Sequence, residues 1–196
     1  AESFLFPNYA EDSASPTINR VLLLDRGDWV PYHKGQPVKI NIMDRDAQGV
    51  QSLVIKQGDT VVEEIDQPGK GVVERPFSTC GDYTAHCVMN DGSLSQACEF
   101  SVCDLDFRMP AEGVSKGEPW EVEFSSDNMD IIIVYLKSSA DGYDEHNLFV
   151  SDQDRRNGKV TVPANLIRGK GRMQVWLVGE NRYGRLKKRQ DIVVEE

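Results

Sequence analysis

Two stretches of the chain alternate apolar and polar residues in the same way, after the same turn. Lys34-Gly35-Gln36-Pro37 leads into Val38, Ile40 and Ile42. Eighty-two positions later, Lys116-Gly117-Glu118-Pro119 leads into Trp120, Val122 and Phe124. A period of two puts those side chains on one face of a pleated strand. The chain elsewhere follows the same habit: Val21–Leu24, Ser52–Lys56, Thr60–Ile65, Ile131–Leu136, Leu148–Val150 and Val160–Val162 are short runs separated by Gly, Asp, Asn and Pro. Short strands at roughly 8–12-residue spacing, with turn signals between them, predict β-sandwiches. The first half shows no convincing 3.6-residue periodicity.

The 196 residues suit one large domain or two of about 100 each, and the copied turn and strand decide for two. The boundaries expected are a leader at 1–17 containing Phe4, Phe6 and Tyr9, a first domain at 18–104 and a second at 105–196. Late in each domain a further match appears. Met173, Val175 and Leu177 stand where Tyr83, Ala85 and Cys87 stand ninety positions earlier, and the turns at Asp91 and Asn181 correspond. An offset that grows from 82 to 90 implies about eight extra residues in the second domain, expected in the polar stretch Ser138–Asn147. Asn157-Gly158 reads as a strong turn between strands.

Composition narrows the class. A hydrophobic content of 39% with 28% charged residues suits a soluble globular chain. No apolar run approaches the ~20 residues of a membrane-spanning helix. The net charge of −10 argues against affinity for nucleic-acid phosphates. That charge is uneven: residues 1–104 hold 8 Lys and Arg against 16 Asp and Glu, and the remainder 14 against 16.

Gly81-Asp82-Tyr83-Thr84-Ala85-His86-Cys87-Val88-Met89-Asn90-Asp91-Gly92, followed by Ser95–Val102, resembles the last hairpin of immunoglobulin-like modules. The likeness is to PKD-like, fibronectin III-like and other bacterial Ig-like domains of secreted proteins. In those a Gly-x-Tyr-x-apolar strand runs into an Asp/Asn-Gly turn and a final strand. The resemblance implies an all-β fold of two tandem immunoglobulin-like sandwiches and a secreted, periplasmic or cell-surface setting. It departs from the antibody pattern, in which the Tyr sits two residues before a Cys.

All four cysteines fall between Cys80 and Cys103, without the paired C-x₂₋₄-C knuckles of zinc sites. A hairpin turning around Asn90–Ser93 brings Cys87 nearly opposite Cys98, and Cys80 nearly opposite Cys103. The expectation is therefore two nested disulfides, 80–103 and 87–98, suited to an oxidising compartment. The competing reading makes Cys87 a small apolar core residue.

Other candidate chemistry is sparse. Asp44-Arg45-Asp46-Ala47-Gln48-Gly49 begins like a calcium loop, but Ile55 stands where the bidentate acid belongs, so a solvated loop is expected. Asp141, Asp144, Glu145 and His146 form a second acidic loop with the same expectation. His33, His86 and His146 are the only histidines, and His86 and Cys87, adjacent on a strand, point to opposite faces. With no catalytic or phosphate-binding motif and no cofactor signature, the chain reads as a non-enzyme.

Arg168, Lys170 and Arg172 share one strand face, and Arg185, Lys187 and Arg189 share another. If those faces coincide, a positive patch with Arg182 flanks Trp176 and Tyr183, suited to an acidic polysaccharide or another anionic surface. The alternative is the solvated face of an edge hairpin, where Lys and Arg discourage strand-to-strand aggregation. The function expected is a non-catalytic extracellular or periplasmic binding or adhesion module, with a polysaccharide or another surface protein as partner. Trp29, Tyr32, Trp176 and Tyr183 are its candidate aromatics. A structural spacer, or an accessory domain pair of a larger secreted enzyme or surface assembly, is the alternative. The opposite charge bias of the halves also suggests head-to-tail pairing between copies.

Overall fold

Lys34-Gly35 and Lys116-Gly117 make the same turn. Gly35 has φ 80° and Gly117 φ 79°. Gln36 N donates to His33 O at 2.9 Å, and Glu118 N donates to Ser115 O at 3.3 Å. This is type II geometry, which needs a positive φ at the third residue and so favours glycine. The strands that follow, β3 (Pro37–Ile42) and β10 (Trp120–Asp127), bury Val38, Ile40 and Ile42 and Trp120, Val122 and Phe124.

These turns belong to a computed structural model that describes residues 21–24, 31–138, 144–166 and 170–195. The chain divides into two units, Ala1–Val102 and Cys103–Glu196. In the first, β1 (Leu22–Leu24), β3 and β6 (Gly71–Pro76) form one sheet in the order β1-β3-β6. The other sheet runs β5-β4-β7-β8, from β4 (Val50–Gln57), β5 (Thr60–Asp66), β7 (Gly81–Met89) and the start of β8 (Cys98–Arg108). The short β2 (Tyr32–His33) also pairs with β8. One cluster joins the two sheets, with Leu22, Leu24, Val38 and Ile40 from the first and Leu53, Ile55, Ala85 and Phe100 from the second.

The second unit repeats this order. The end of β8, β10 and β13 (Lys159–Val162) form its first sheet. Its second sheet runs β12-β11-β14-β15-β9, from β9 (Val114–Ser115), β11 (Ile131–Ser138), β12 (Asp144–Phe149), β14 (Gly171–Asn181) and β15 (Gly184–Glu195). Its core joins Leu105, Phe107 and Val122 to Ile132, Val134, Val175 and Leu177. A three-stranded antiparallel sheet facing a larger, mainly antiparallel one across one core, with β9 parallel to β15, makes each unit an immunoglobulin-like sandwich, and the fold is all-β.

The units differ at the matched position that opens the penultimate strand. Tyr83 is buried, stacks on Phe100 at 5.3 Å between centroids, and donates its hydroxyl to Thr79 O at 2.5 Å. A buried Tyr at the start of this strand, bonded to backbone just upstream, is the tyrosine corner of such sandwiches. Burial, and then the neighbouring Cys80, raise its pKa. Met173 fills the matching place in β14 and has no hydroxyl to offer.

The extra length of the second unit is not one insertion. Its β12–β13 connection takes residues 150–158, against 67–70 between β5 and β6, and its β13–β14 connection takes 163–170, against 77–80. Its β10–β11 connection is shorter than the 43–49 loop of the first unit. Residues 144–147 are strand, paired to β11, so the polar loop expected there is shorter; 139–143 lie outside the described residues.

Asn157-Gly158 is likewise not a strand-to-strand turn. It ends a helix, α1 (Asp152–Asn157), with Gly158 at φ 69° accepting the left-handed cap position. Ser151 caps the other end, its side chain accepting from Asp154 N at 3.1 Å. The expected leader at 1–17, Trp29 and Arg168 lie outside the described residues.

Candidate functional site

The five-stranded sheet of the second unit has a core face and an outer face, written differently on different strands. β14 alternates strictly: Met173, Val175 and Leu177 go inward, while Gln174, Trp176 and Val178 share the other face. β11 does not alternate. Ile132, Val134 and Leu136 are buried in the core, yet the intervening Ile131, Ile133 and Tyr135 are also apolar or aromatic. A strand apolar on both faces belongs in a sheet covered on both sides.

Register lines the outer residues into rows across four strands. Asn147, Tyr135, Trp176 and Arg189 form one row, and Phe149, Ile133, Val178 and Lys187 the next. On the other side lie Glu145, Lys137, Gln174 and Asp191. Phe149 is 68% exposed and Ile131 44%. Ile133, Tyr135 and Trp176 beside them are half-buried and Val178 is buried, and exposed apolar side chains grouped in this way mark an interaction site.

The charges around this strip are mostly paired. Arg189 holds Asp191 through two hydrogen bonds, 3.0 and 3.2 Å, and its guanidinium carbon lies 5.6 Å from the Trp176 ring centroid. Arg172 approaches the same carboxylate at 3.9 Å. Arg189 first, with Arg172 adding to it, lowers the pKa of Asp191. Arg185 meets Glu180 at 2.5 Å. The hydrogen bond to Glu145 raises the pKa of Tyr135, and Lys137 reaches the same carboxylate at 4.0 Å. Lys187 is exposed and forms no ion pair among the described residues.

Of the residues singled out from sequence, Trp176, Arg185, Lys187 and Arg189 therefore share one face, together with Arg172. Arg182 and Tyr183 do not join them. Both lie in the β14–β15 turn, where Tyr183 is 2% exposed and its hydroxyl accepts from Arg182 at 2.6 Å. Tyr32 is fully buried. Lys188 points away and pairs with Asp106 at 3.6 Å. Sequence reading missed Ile131, Ile133, Tyr135 and Phe149; the signal was the unbroken apolar run from Ile131 to Leu136, which leaves one apolar face beyond what a core needs.

The expected disulfides are absent: all four cysteines are thiols. Register is the reason for the 87–98 pair. Cys98 stands opposite Ala85, while Ser95 faces Cys87, its N donating to Cys87 O at 2.9 Å and its Oγ accepting from Cys87 N at 2.8 Å. Cys80 belongs to the first unit, and Cys103 to the core of the second, where its Sγ accepts from Asn181 Nδ2 at 3.2 Å. The case for an oxidising compartment that rested on the bridges goes with them. Burial pushes the Cys87 thiol up to about 11, against a partial lowering by Ser95 and a further rise from Asp44.

Asp44 organises its own loop. Its two carboxylate oxygens accept from Gln48 N at 3.0 Å and Gly49 N at 2.9 Å. No group of three or more His, Cys, Asp and Glu side chains is placed to hold a metal among the described residues. Of the second acidic loop, Asp141 lies outside the described residues, and Glu145 and His146 are in β12. No helix among the described residues is long and apolar enough to cross a membrane.

No family model matches the chain, and no curated protein does. Among solved structures it is similar to the CbhA fibronectin(III)-like modules of Clostridium thermocellum, at 12% identity and TM-score 0.32, over 89% of this chain and 94% of that one. It is also similar to trypsin-activated alpha-2-macroglobulin from Escherichia coli, at 14% identity and TM-score 0.33, over 92% of this chain but 16% of that one. Neither likeness bears on what the chain does.

Proposed function

We propose that the chain is a non-catalytic binding module of the cell exterior that docks a protein partner through the outer face of β12-β11-β14-β15. The observation that carries this reading is the strip in which exposed Phe149 and Ile131 adjoin half-buried Tyr135 and Trp176, with arginines at its edge. Aromatic residues and Arg are enriched, and carry most of the energy, in protein–protein interfaces. Protein is favoured over polysaccharide because the Arg189 guanidinium lies over the Trp176 ring that a sugar would stack on, and Tyr32 and Tyr183 are buried. The exterior setting rests on the tandem sandwich architecture, which many cell-surface domains share.

The test is retention of the purified chain on intact cells of its source and on a polysaccharide panel. Phe149→Glu and Trp176→Ala should each lower retention on cells at least tenfold, with melting unchanged and no retention on the polysaccharides. Retention on cells that neither substitution alters would move the reading to a structural spacer.

A further inference from the structure

The four-stranded sheet of the first unit presents the matching outer face with the opposite chemistry. Its rows are Asp66, Ser52 and Val88; Glu64, Val54 and His86; and Val61, Lys56, Thr84 and Glu99, with Ser52 and Val54 buried beneath their neighbours. Apolar surface is exposed here too: Val61 is 49% exposed, and Leu94, bridged to Val88, is 66% exposed. The rim, however, is acidic. Glu64 and Asp66 are exposed and form no ion pair among the described residues, which is also the condition of Lys187 on the second unit's face. One face thus carries exposed apolar side chains among unpaired acids, and the other carries them among arginines and an unpaired lysine. Opposite potentials of this kind steer encounter and select the partner.

We infer that the partner of the second unit's outer face is the first unit's outer face of another copy, so that copies associate head to tail. This rests on the docking face proposed above and names its occupant. Such a contact is heterologous: each copy brings one face of each kind, so assembly grows with concentration, into closed rings where the rotation closes and open chains where it does not. Electrostatic selection also makes it salt-sensitive. The Debye length is about 30 Å at 0.01 M ionic strength and about 3 Å at 1 M.

Sedimentation velocity of the full chain over a concentration series, at those two ionic strengths, tests the inference. The average mass should rise above the 22.0 kDa of one chain at low salt and return to it at high salt. Arg185→Glu with Lys187→Glu should weaken association at least tenfold, and so should Glu64→Lys with Asp66→Lys. Mixing the two reversed chains should restore it, because the unaltered face of each meets its unaltered complement on the other and the two reversed faces also complement each other. A monomer at every concentration would overturn the inference, as would association indifferent to both reversals. Weakening by the second-unit reversal alone would overturn the pairing while leaving the docking face, whose own test is retention of Phe149→Glu on cells.

Discussion

The two units share a strand order but spend their side chains differently. In the first, Tyr83 spans from the penultimate strand to the backbone at Thr79, and the outer face of its larger sheet is edged with unpaired acids. In the second, Met173 replaces that tyrosine, a capped helix fills the β12–β13 connection, and the outer face carries aromatics bracketed by paired arginines. The cores are interchangeable in kind, since both are made by period-two burial between two sheets. Apart from the buried Tyr83–Met173 exchange, what distinguishes the units lies on surfaces and connections, where the fold imposes little and function can be written.

The comparison is broken most strongly at the tyrosine corner. Tyr83→Phe keeps the ring but leaves Thr79 O without its donor, and should destabilise the first unit by about 1–3 kcal/mol. Met173→Leu, at the matching place, conserves volume and should cost under about 1.5 kcal/mol. Calorimetry that resolves the two units checks both, and equal effects would deny the corner its role.

The next contrast is the capped helix, which has no counterpart among the described residues of the first unit. Ser151→Ala removes the cap on Asp154 N and should cost the second unit about 0.5–2 kcal/mol. Gly158→Ala puts a Cβ at φ 69°, 3.1 Å from Phe124 O, and should cost about 1–2 kcal/mol. Neither should move the melting of the first unit.

The last contrast is an alkaline one, confined to the first unit. The Cys87 thiol has a folded pKa of about 11 against an ordinary 9.0, so the folded state holds its proton where the unfolded chain has lost it. Stability from this group is complete below pH 9.0 and falls as the pH rises towards 11. Cys87→Ala should flatten that part of the first unit's pH–stability curve and leave the second unit's unchanged.

Much of this architecture was legible in the chain. The repeated Lys-Gly-x-Pro turn, the alternation after it and the ninety-residue echo of Tyr83-x-Ala85-x-Cys87 in Met173-x-Val175-x-Leu177 located matching strands in both units. The helix was not, because α1 buries no residue and so has no apolar face to reveal a 3.6-residue period; only its Ser151 cap and the Gly158 stop marked it. The expected 87–98 disulfide failed on one detail of register. Leu94–Ala97 stand outside the β7–β8 ladder, apart from the single Val88–Leu94 bridge, which places Ser95 rather than Cys98 against Cys87.

The docking face was half legible. Trp176, Arg185, Lys187 and Arg189 follow from alternation on one hairpin, whereas Tyr135 and Phe149 join them only through pairings to β11 and β12. Pairing also reveals that Asp191 and Glu180 offset part of what looks, in sequence, like a positive patch, and leave Lys187 unpaired among the described residues.

The most direct measurement is retention on intact cells of three chains of equal melting temperature: the unaltered protein, Phe149→Glu and Val61→Glu. Phe149 and Val61 both sit on the outer face of the edge strand of the larger sheet, one in each unit. If the second unit's face does the docking, Phe149→Glu loses at least tenfold, while Val61→Glu, which adds an acid to an already acidic face, loses nothing. Equal loss in both, or in neither, would contradict the assignment of binding to the second unit's outer face.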